Sequence, residues 1–394
     1  MTAMTTRLTK DGRRVSLLGY GAMRLPTVDG LNAAGRVGGK PIPGTSRADI
    51  DQKLLDSQVK YMLDQGVTYF DTSPAYCMGR SEAHLGRALK ASGYARGAYM
   101  LATKLSNFAP QQFPLDECRK MFEKSLEYLK TDYIDNYLLH SVGNGGFKMF
   151  SQRYLENGAL DWCVSLREQR RIRNLGFSYH GDPKAFEWCI ENHAKYLYER
   201  LTALKIPIVV MEPLLGGRLA RYNYAIAKEL VPLDPEATLA KWALRFCGTF
   251  PNVTTILSGM TRTEHIEENV VTCSPMKPCS EAELAALERA AVALLRLNTI
   301  PCNCCNYCMP CPYGLDIPAI FTFRNTVLTS KTRPTAREAL RMYAKAVPED
   351  LRRAEHCTGC GRCNLHCPQS IDIPKELASI DAWIDTLRNA EAGR

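Results

Sequence analysis

"YFDTSPAYCMGRSEAHLGRAL" (Tyr69–Leu89) is the stretch on which the fold turns. A run of β-branched and aromatic residues, "VTYFDTS" from Val67, reads as a short buried strand that ends at Asp71. A loop holding Tyr76 follows. The same grammar recurs along the chain. Strand candidates begin at Ser16 (SLLGYG), Tyr99 (YMLATK), Tyr133 (YIDNYLLH), Arg171 (RIRNLGFS), Ile206 (IPIVVME) and Val253 (VTTILSG). Between them lie segments such as "IDQKLLDSQVKYMLDQG" (Ile50–Gly66), with apolar residues at three- and four-residue spacing and a glycine stop, the pattern of an amphipathic helix. Alternating strands and helices predict a parallel sheet built from βα units, and the spacing of most strand starts suits a TIM-type (β/α)8 barrel.

One barrel unit is hard to place. The stretch "AFEWCIENHAKYLYERLTALK" (Ala185–Lys205) reads as helix throughout, so either the sixth strand is hidden or one βα unit is absent. Upstream, "RLTKDGRRVSLLG" (Arg7–Gly19) reads as a hairpin turning at Asp11–Gly12. Downstream, Ser280 is the expected N-cap of a helix through "SEAELAALERAAVALL".

Composition narrows the class. The 394 residues are 45% hydrophobic and 23% charged, the balance of a globular protein. No run approaches the roughly 18 apolar residues of a membrane-spanning helix, and the polar start of the chain lacks a secretory core, so a cytoplasmic protein without membrane contact is expected. The net charge of +9 is scattered apart from "REQRRIR" (Arg167–Arg173), which reads as a solvated helix end; no nucleic-acid partner is expected.

Four polar residues stand at or just beyond successive strand ends: Asp71, Tyr76, Lys104 and His140. In a parallel barrel these ends open on one face, where active sites form. Their types suit proton donation to a carbonyl. A phenol titrates near 10; a lysine cation beside it would favour the phenolate, and an aspartate would fix the lysine. A histidine could hydrogen-bond the substrate oxygen as negative charge develops.

The tail carries a second chemistry. Nine of 16 cysteines lie between Cys302 and Cys367. The run "CTGCGRCNLHCP" places Cys357, Cys360, Cys363 and Cys367 before Pro368 at C-x2-C-x2-C-x3-C-P spacing, a bacterial ferredoxin pattern. The earlier run "PCNCCNYCMPCPYG" (Pro301–Gly314) places Cys302, Cys305, Cys308 and Cys311 before Pro312, with a shorter last gap and an extra Cys304. Two [4Fe-4S] clusters are expected, with zinc, also held by paired C-x2-C units, as the alternative.

The motifs "LGYGAMRLP", "YFDTSPAYCMGRSEAHLGRAL", "LATK", "DYIDNYLLH", "LGFS" and "VVMEPLLGGRL" resemble those of the aldo/keto reductases, over roughly residues 7–290. The resemblance implies Tyr76 as general acid, Lys104 and Asp71 as its tuning pair, and His140 as the group orienting the carbonyl. It also implies an extended NADP or NAD cofactor. Matching positions are Gly21 and Met23 after the first barrel strand, Ser178 after the fifth, and Met211, Pro213, Leu214, Gly216 and Leu219 around the nicotinamide and pyrophosphate. The adenosine-phosphate segment matches Ser258, Gly259, Thr261, Arg262, His265, Glu268 and Asn269. Three departures stand out: His265 where an arginine is frequent, Met211 where an aromatic is frequent, and no counterpart of the sixth strand with its carboxamide-binding glutamine. The last implies weak cofactor binding. The tail resembles a dicluster ferredoxin-type domain carried by a subset of the family. Crossed ligation would pair Cys302, Cys305 and Cys308 with Cys367, and Cys357, Cys360 and Cys363 with Cys311.

The expected organisation is a barrel over 1–295 and a small, mainly helical, ferredoxin-like iron–sulfur domain over 296–394. The expected activity is NAD(P)H-dependent reduction of a carbonyl, or oxidation of an alcohol. Hydride moves two electrons and a cluster moves one, so a flavoprotein or ferredoxin partner is a further expectation. The alternative is a non-catalytic electron carrier or redox sensor on a degenerate barrel.

Overall fold

The computed structural model of the chain describes residues 3–30, 48–143, 146–180, 197–220, 224–347, 353–367 and 369–392. Two compact units divide it. The first comprises residues 1–34, 46–213 and 247–278; the second contains 214–246 and 279–394.

A hairpin opens the first unit. Strands β1 (Thr6–Leu8) and β2 (Arg14–Ser16) pair antiparallel, and Gly12 at φ 80° supplies the left-handed turn that the Asp11–Gly12 dipeptide promised. Then come β3 (Leu18–Gly21), β4 (Tyr69–Asp71), β5 (Met100–Leu105), β6 (Ile134–Val142), β7 (Ile172–Tyr179), β8 (Ile208–Val210) and β9 (Val253–Ser258). They form one sheet in the order β7-β6-β5-β4-β3-β9-β8, with every adjacent pair parallel. All seven predicted strands are present, in the neighbour relations of a (β/α) barrel.

Among the described residues no strand lies between β7 and β8, and these two are the edges of the sheet. The predicted helix of 185–205 falls largely outside the described residues; Leu197–Ala203 is helical. β8 begins 36 residues after β7 (208 − 172 = 36), an interval like that from β5 to β6, 34 residues (134 − 100), or from β6 to β7, 38 residues (172 − 134). The chain between β7 and β8 is thus as long as one βα unit. All three residues of β8 are half-buried, whereas β9 and β5 are buried throughout.

Helices follow the strands: Gln52–Asp64, Ser81–Ala91, Leu115–Leu129, Ala159–Glu168 and Thr263–Thr272. Asp51 caps the first by accepting from Leu54 N at 2.9 Å. Gly86 lets Ser81–Ala91 approach Leu115–Leu129, since a Cβ there would stand 2.1 Å from Tyr128 O. This packing holds the loop after β4, which carries Tyr76, against the strand ends.

The second unit is helical. Ser280 and Glu283 form the predicted capping box of Glu281–Arg296. That helix packs on Tyr224–Leu230, burying Leu230, Trp242, Ala286 and Ala290 together. This apolar contact groups residues of 214–246 with the helix that follows Ser280. Helices Ile317–Thr329, Ala336–Ala346 and Ile373–Ala392 enclose a core of Phe321, Phe323, Tyr343 and Ile380. No helix among the described residues is long and apolar enough to cross a membrane.

Candidate active site

The strand ends bring the four expected polar residues of the first unit together. Asp71 closes β4 and Lys104 lies near the end of β5; both are fully buried. Lys104 Nζ donates to Asp71 Oδ1 at 2.5 Å and to Thr72 O at 2.7 Å, while Asp71 Oδ2 is buried with no partner among the described residues. The ammonium lies 4.7 Å from the centre of the Tyr76 ring. That ring meets His140 edge-on at 5.8 Å between centroids.

Local strain aims Tyr76. The two residues after it, Cys77 (φ 50°) and Met78 (φ 59°), are left-handed without being glycine, at about 1–2 kcal/mol each. The Cys77 thiol, which donates to Met23 O at 3.4 Å, holds this turn to the loop after β3.

The electrostatics differ from the expectation for Tyr76. Its phenol is raised well above 10, by burial first and then by Asp71, Glu212 and Cys77. Lys104 spends its charge on Asp71 instead of lowering the phenol. Burial also lowers Lys104 itself and keeps Asp71 raised. His140 is pushed well below its ordinary range by burial, then by Lys104, His180 and Arg153. Burial and these neighbours favour the neutral imidazole, which carries one ring N–H. Ser106 Oγ stands 2.6 Å and Ser73 Oγ 3.3 Å from Nδ1, and the two hydroxyls are 2.8 Å apart. A serine hydroxyl donating to Nδ1 leaves Nε2–H free to donate to a carbonyl oxygen.

Sequence reasoning missed these supports. Ser73 and Ser106 carry no motif, Phe108 packs 4.9 Å from the His140 ring, and Arg153 and Tyr154 both donate to His140 O. Burial of a polar side chain after a strand is the signal, and only the fold reveals it.

The expected cofactor positions distribute unevenly. In the first unit Gly21 ends β3, where a Cβ would meet nothing closer than Ser258 O at 3.7 Å. Ser258 accepts from Asn269 Nδ2 at 3.1 Å, both buried. Thr261 Oγ1 donates to Arg24 O at 2.9 Å, and Glu268 is half-buried. Helix Thr263–Thr272 begins at Arg262, an extended N-cap that makes no side-chain cap, and Arg262, His265 and Gly259 are exposed there. Uncapped first-turn N–H groups beside a guanidinium suit a phosphate. Ser178 Oγ is already used, accepting from Ser141 N at 2.8 Å. Met211 is half-buried against Val15, Tyr69, Met100, Ala102 and Leu257. Pro213 ends the first unit, and Leu214, Gly216 and Leu219 belong to the second. There Gly216 (φ 66°) faces the first cysteine run, its missing Cβ 2.2 Å from Asn303 O.

Within the second unit Cys302, Cys305, Cys308 and Cys367 line one small cavity, walled by Phe321 and Ile371. Burial raises the Cys308 thiol, and Cys305, Cys367 and Cys363 push it the same way. Cys363 is raised to about 11, by burial and then by Cys311, Cys360 and Cys357. Cys304 Sγ lies 3.3 Å from Thr322 Oγ1, and its thiol and backbone N–H also meet the Cys302 sulfur. Among the described residues no three His, Cys, Asp or Glu side chains are grouped so that they could hold a metal ion. Pro368 lies outside the described residues.

A parallel βα barrel with a buried Asp–Lys–Tyr–His constellation at its strand ends is the framework of a barrel oxidoreductase. The aldo/keto reductase family profile matches residues 18–215, and the chain belongs to that family. Its similarity to L-galactose dehydrogenase of Arabidopsis thaliana is 26% identity over 322 residues, 70% of this chain and 90% of that protein. The aldo-keto reductase YhdN of Bacillus subtilis is 38% identical over 108 residues, 25% of this chain and 31% of its own length. A probable voltage-gated potassium channel subunit beta of Arabidopsis thaliana is 23% identical over 282 residues, 56% of this chain and 82% of that one. Among solved structures, an aldo-keto reductase from Bacillus halodurans in its holo form aligns at TM-score 0.55 and 21% identity, covering 74% of this chain and 96% of that one. One from Klebsiella pneumoniae in complex with NADPH aligns at 0.54 and 18%, covering 73% and 95%. At these identities the structural likeness speaks for the fold.

Proposed function

We propose that the protein is an NAD(P)H-dependent reductase of a small carbonyl compound, or in reverse an alcohol dehydrogenase, with iron–sulfur clusters held by its tail. The observation that carries this is the buried Lys104–Asp71 pair with the Tyr76 ring 4.7 Å from the ammonium and His140 beside it. The bound nicotinamide would supply the hydride. The chain's own residues handle the proton: Tyr76 Oη donates it to the carbonyl oxygen, and His140 Nε2–H hydrogen-bonds that oxygen as charge develops. A raised phenol holds its proton until an oxyanion forms, which suits a donor to a strongly basic oxygen.

NADP is favoured over NAD by Arg262 and His265, exposed at the open helix start, where a 2′-phosphate would find two basic groups. Ser258, Gly259, Thr261, Glu268 and Asn269 would line the adenosine-phosphate end, and Gly21, Met23, Ser178, Met211 and Pro213 the rest. The cavity lined by four thiols supports a [4Fe-4S] cluster on Cys302, Cys305, Cys308 and Cys367. The mutual influence of Cys311, Cys357, Cys360 and Cys363 supports a second. Such a cluster would supply one-electron transfer, with a flavoprotein or ferredoxin as the exchanging partner, in a reducing compartment such as the cytoplasm. In sequence terms the barrel occupies 1–295 and the cluster domain 296–394.

The test is NADPH oxidation against a panel of aldehydes and ketones, with Tyr76→Phe as control. Turnover that falls at least a hundredfold in the variant supports the reading; equal rates in both proteins oppose it. The second reading, a non-catalytic carrier or sensor, is favoured by the sheet edges at β7 and β8, which stay unpaired among the described residues. Redox-active clusters with no turnover on any carbonyl would select it.

A further inference from the structure

Arg153 is a buried cation that the proton-transfer residues do not use. Only 3% of it is exposed, and no Asp or Glu among the described residues pairs with it. An unpaired buried charge is costly, so its bonds need a reason. They converge on the end of β6. Nη2 donates to His140 O at 2.7 Å, Nη1 to Ser141 O at 3.5 Å and Nε to Asn107 O at 3.1 Å. Asn107 Nδ2 returns a bond to Arg153 O at 2.9 Å. Arg153 lies in a π-helical turn, Ser151–Leu155, a distortion often found at functional sites. Ser141, just after His140, is left-handed at φ 60°. The guanidinium thus meets the carbonyls on either side of a strained peptide. Phe108 is shared: its ring lies 5.0 Å from the guanidinium and 4.9 Å from the imidazole.

We propose that Arg153 is a positioning residue for His140: it locks the His140–Ser141 backbone, and its uncompensated charge, added to burial, disfavours a second positive charge on the imidazole that donates one N–H to a substrate oxygen. Other groups act on the ring. Lys104 from β5 and His180 after β7 oppose its protonation, as burial does. Tyr76 faces it from the loop after β4, and Ser73 and Ser106 hold Nδ1. Lys104 is neutralised by Asp71 at 2.5 Å, whereas Arg153 has no such partner. Tyr154 Oη donates to the same His140 O at 3.0 Å but carries no charge, which separates anchoring from electrostatics.

The test is NMR of the full-length protein with labelled histidine, assigned by His140→Gln, titrated from pH 8 downward until His140 takes up its proton, on wild type, Arg153→Gln, Arg153→Lys and Tyr154→Phe. The expected result is a wild-type His140 that is neutral at neutral pH and protonates only at acid pH. In Arg153→Gln its proton affinity should rise at least tenfold. It should stay within twofold of wild type in Arg153→Lys, which keeps the charge, and in Tyr154→Phe, which removes only an anchor. An unchanged His140 in Arg153→Gln overturns the proposal, as does an equal rise in Tyr154→Phe. Should Arg153→Gln fail to fold, Arg153→Lys decides: a His140 affinity within twofold of wild type supports the charge role and a tenfold rise refutes it. The kinetic counterpart rests on the carbonyl chemistry proposed above: kcat about tenfold lower in Arg153→Gln, KM within twofold, and kcat recovered in Arg153→Lys. A missing carbonyl activity would sink that chemistry and leave the NMR result standing.

Discussion

Replacing Lys104 by Met tests the buried ion pair at the centre of the site. Lys104 and Asp71 are fully buried, and burial opposes the charge of each. The pair is therefore a poor source of net stability, but breaking it is expensive. Lys104→Met leaves Asp71 with neither oxygen partnered among the described residues, because Oδ2 already lacks a partner there, and strips Thr72 O of its donor. The cost should be about 3–5 kcal/mol, roughly 10 °C in Tm. Without the ammonium, burial pushes Asp71 further up. A carboxyl raised above its unfolded value contributes stability at low pH and loses it as pH rises through the folded value. The deficit of Lys104→Met against wild type should thus be larger at pH 8 than at pH 5. The double variant Asp71→Leu/Lys104→Met removes both charges and should recover most of the stability and none of the activity. Denaturant melts at the two pH values, with NADPH-dependent turnover in parallel, measure this. A single variant as stable as wild type at pH 8, or a double variant no better than the single, would refute the reasoning.

Three further outcomes follow from other sites. Glu82 is buried, accepts from Thr103 Oγ1 at 2.6 Å and is raised to about 7 by burial, so its contribution is present below pH 4.5 and lost as pH rises through 7; Glu82→Gln should match wild type near pH 4.5 and exceed it at pH 8 by ~2–3 kcal/mol in urea melts. Gly86→Ala places a Cβ 2.1 Å from Tyr128 O and should cost about 2–3 kcal/mol, read as a lower urea midpoint. Cys308→Ser should lower iron content by about half, from two clusters toward one, as read by iron analysis.

The legible parts of the molecule are those written in local pattern. Seven short apolar runs correspond to the seven strands of the large sheet, and Asp71, Lys104 and His140 could be placed because each closes or nearly closes one. The Ser280–Glu283 capping box and the Asp11–Gly12 turn are equally local. Cys302, Cys305 and Cys308 share one cavity with Cys367, which comes much later in the tail. What escaped depends on long-range packing. The phenol of Tyr76 is raised by burial and by Asp71, which outweighs a lysine whose charge is already paired. Ser106, Arg153 and Glu82 are ordinary polar residues in sequence and become significant only when the strands bury them. The segment 214–246 joins the second unit through the apolar contact of Trp242 and Leu230 with Ala286 and Ala290, which no motif announces.

The most direct test of hydride chemistry at this site is isotope transfer. The protein is incubated with NADPH deuterated at C4 and the best aldehyde of the panel, and the alcohol is analysed by mass spectrometry. The account predicts one deuterium on the carbinol carbon with wild type and at least a hundredfold less product with Tyr76→Phe. Alcohol formed without deuterium from either C4 position, or equal labelled product from both proteins, would contradict it.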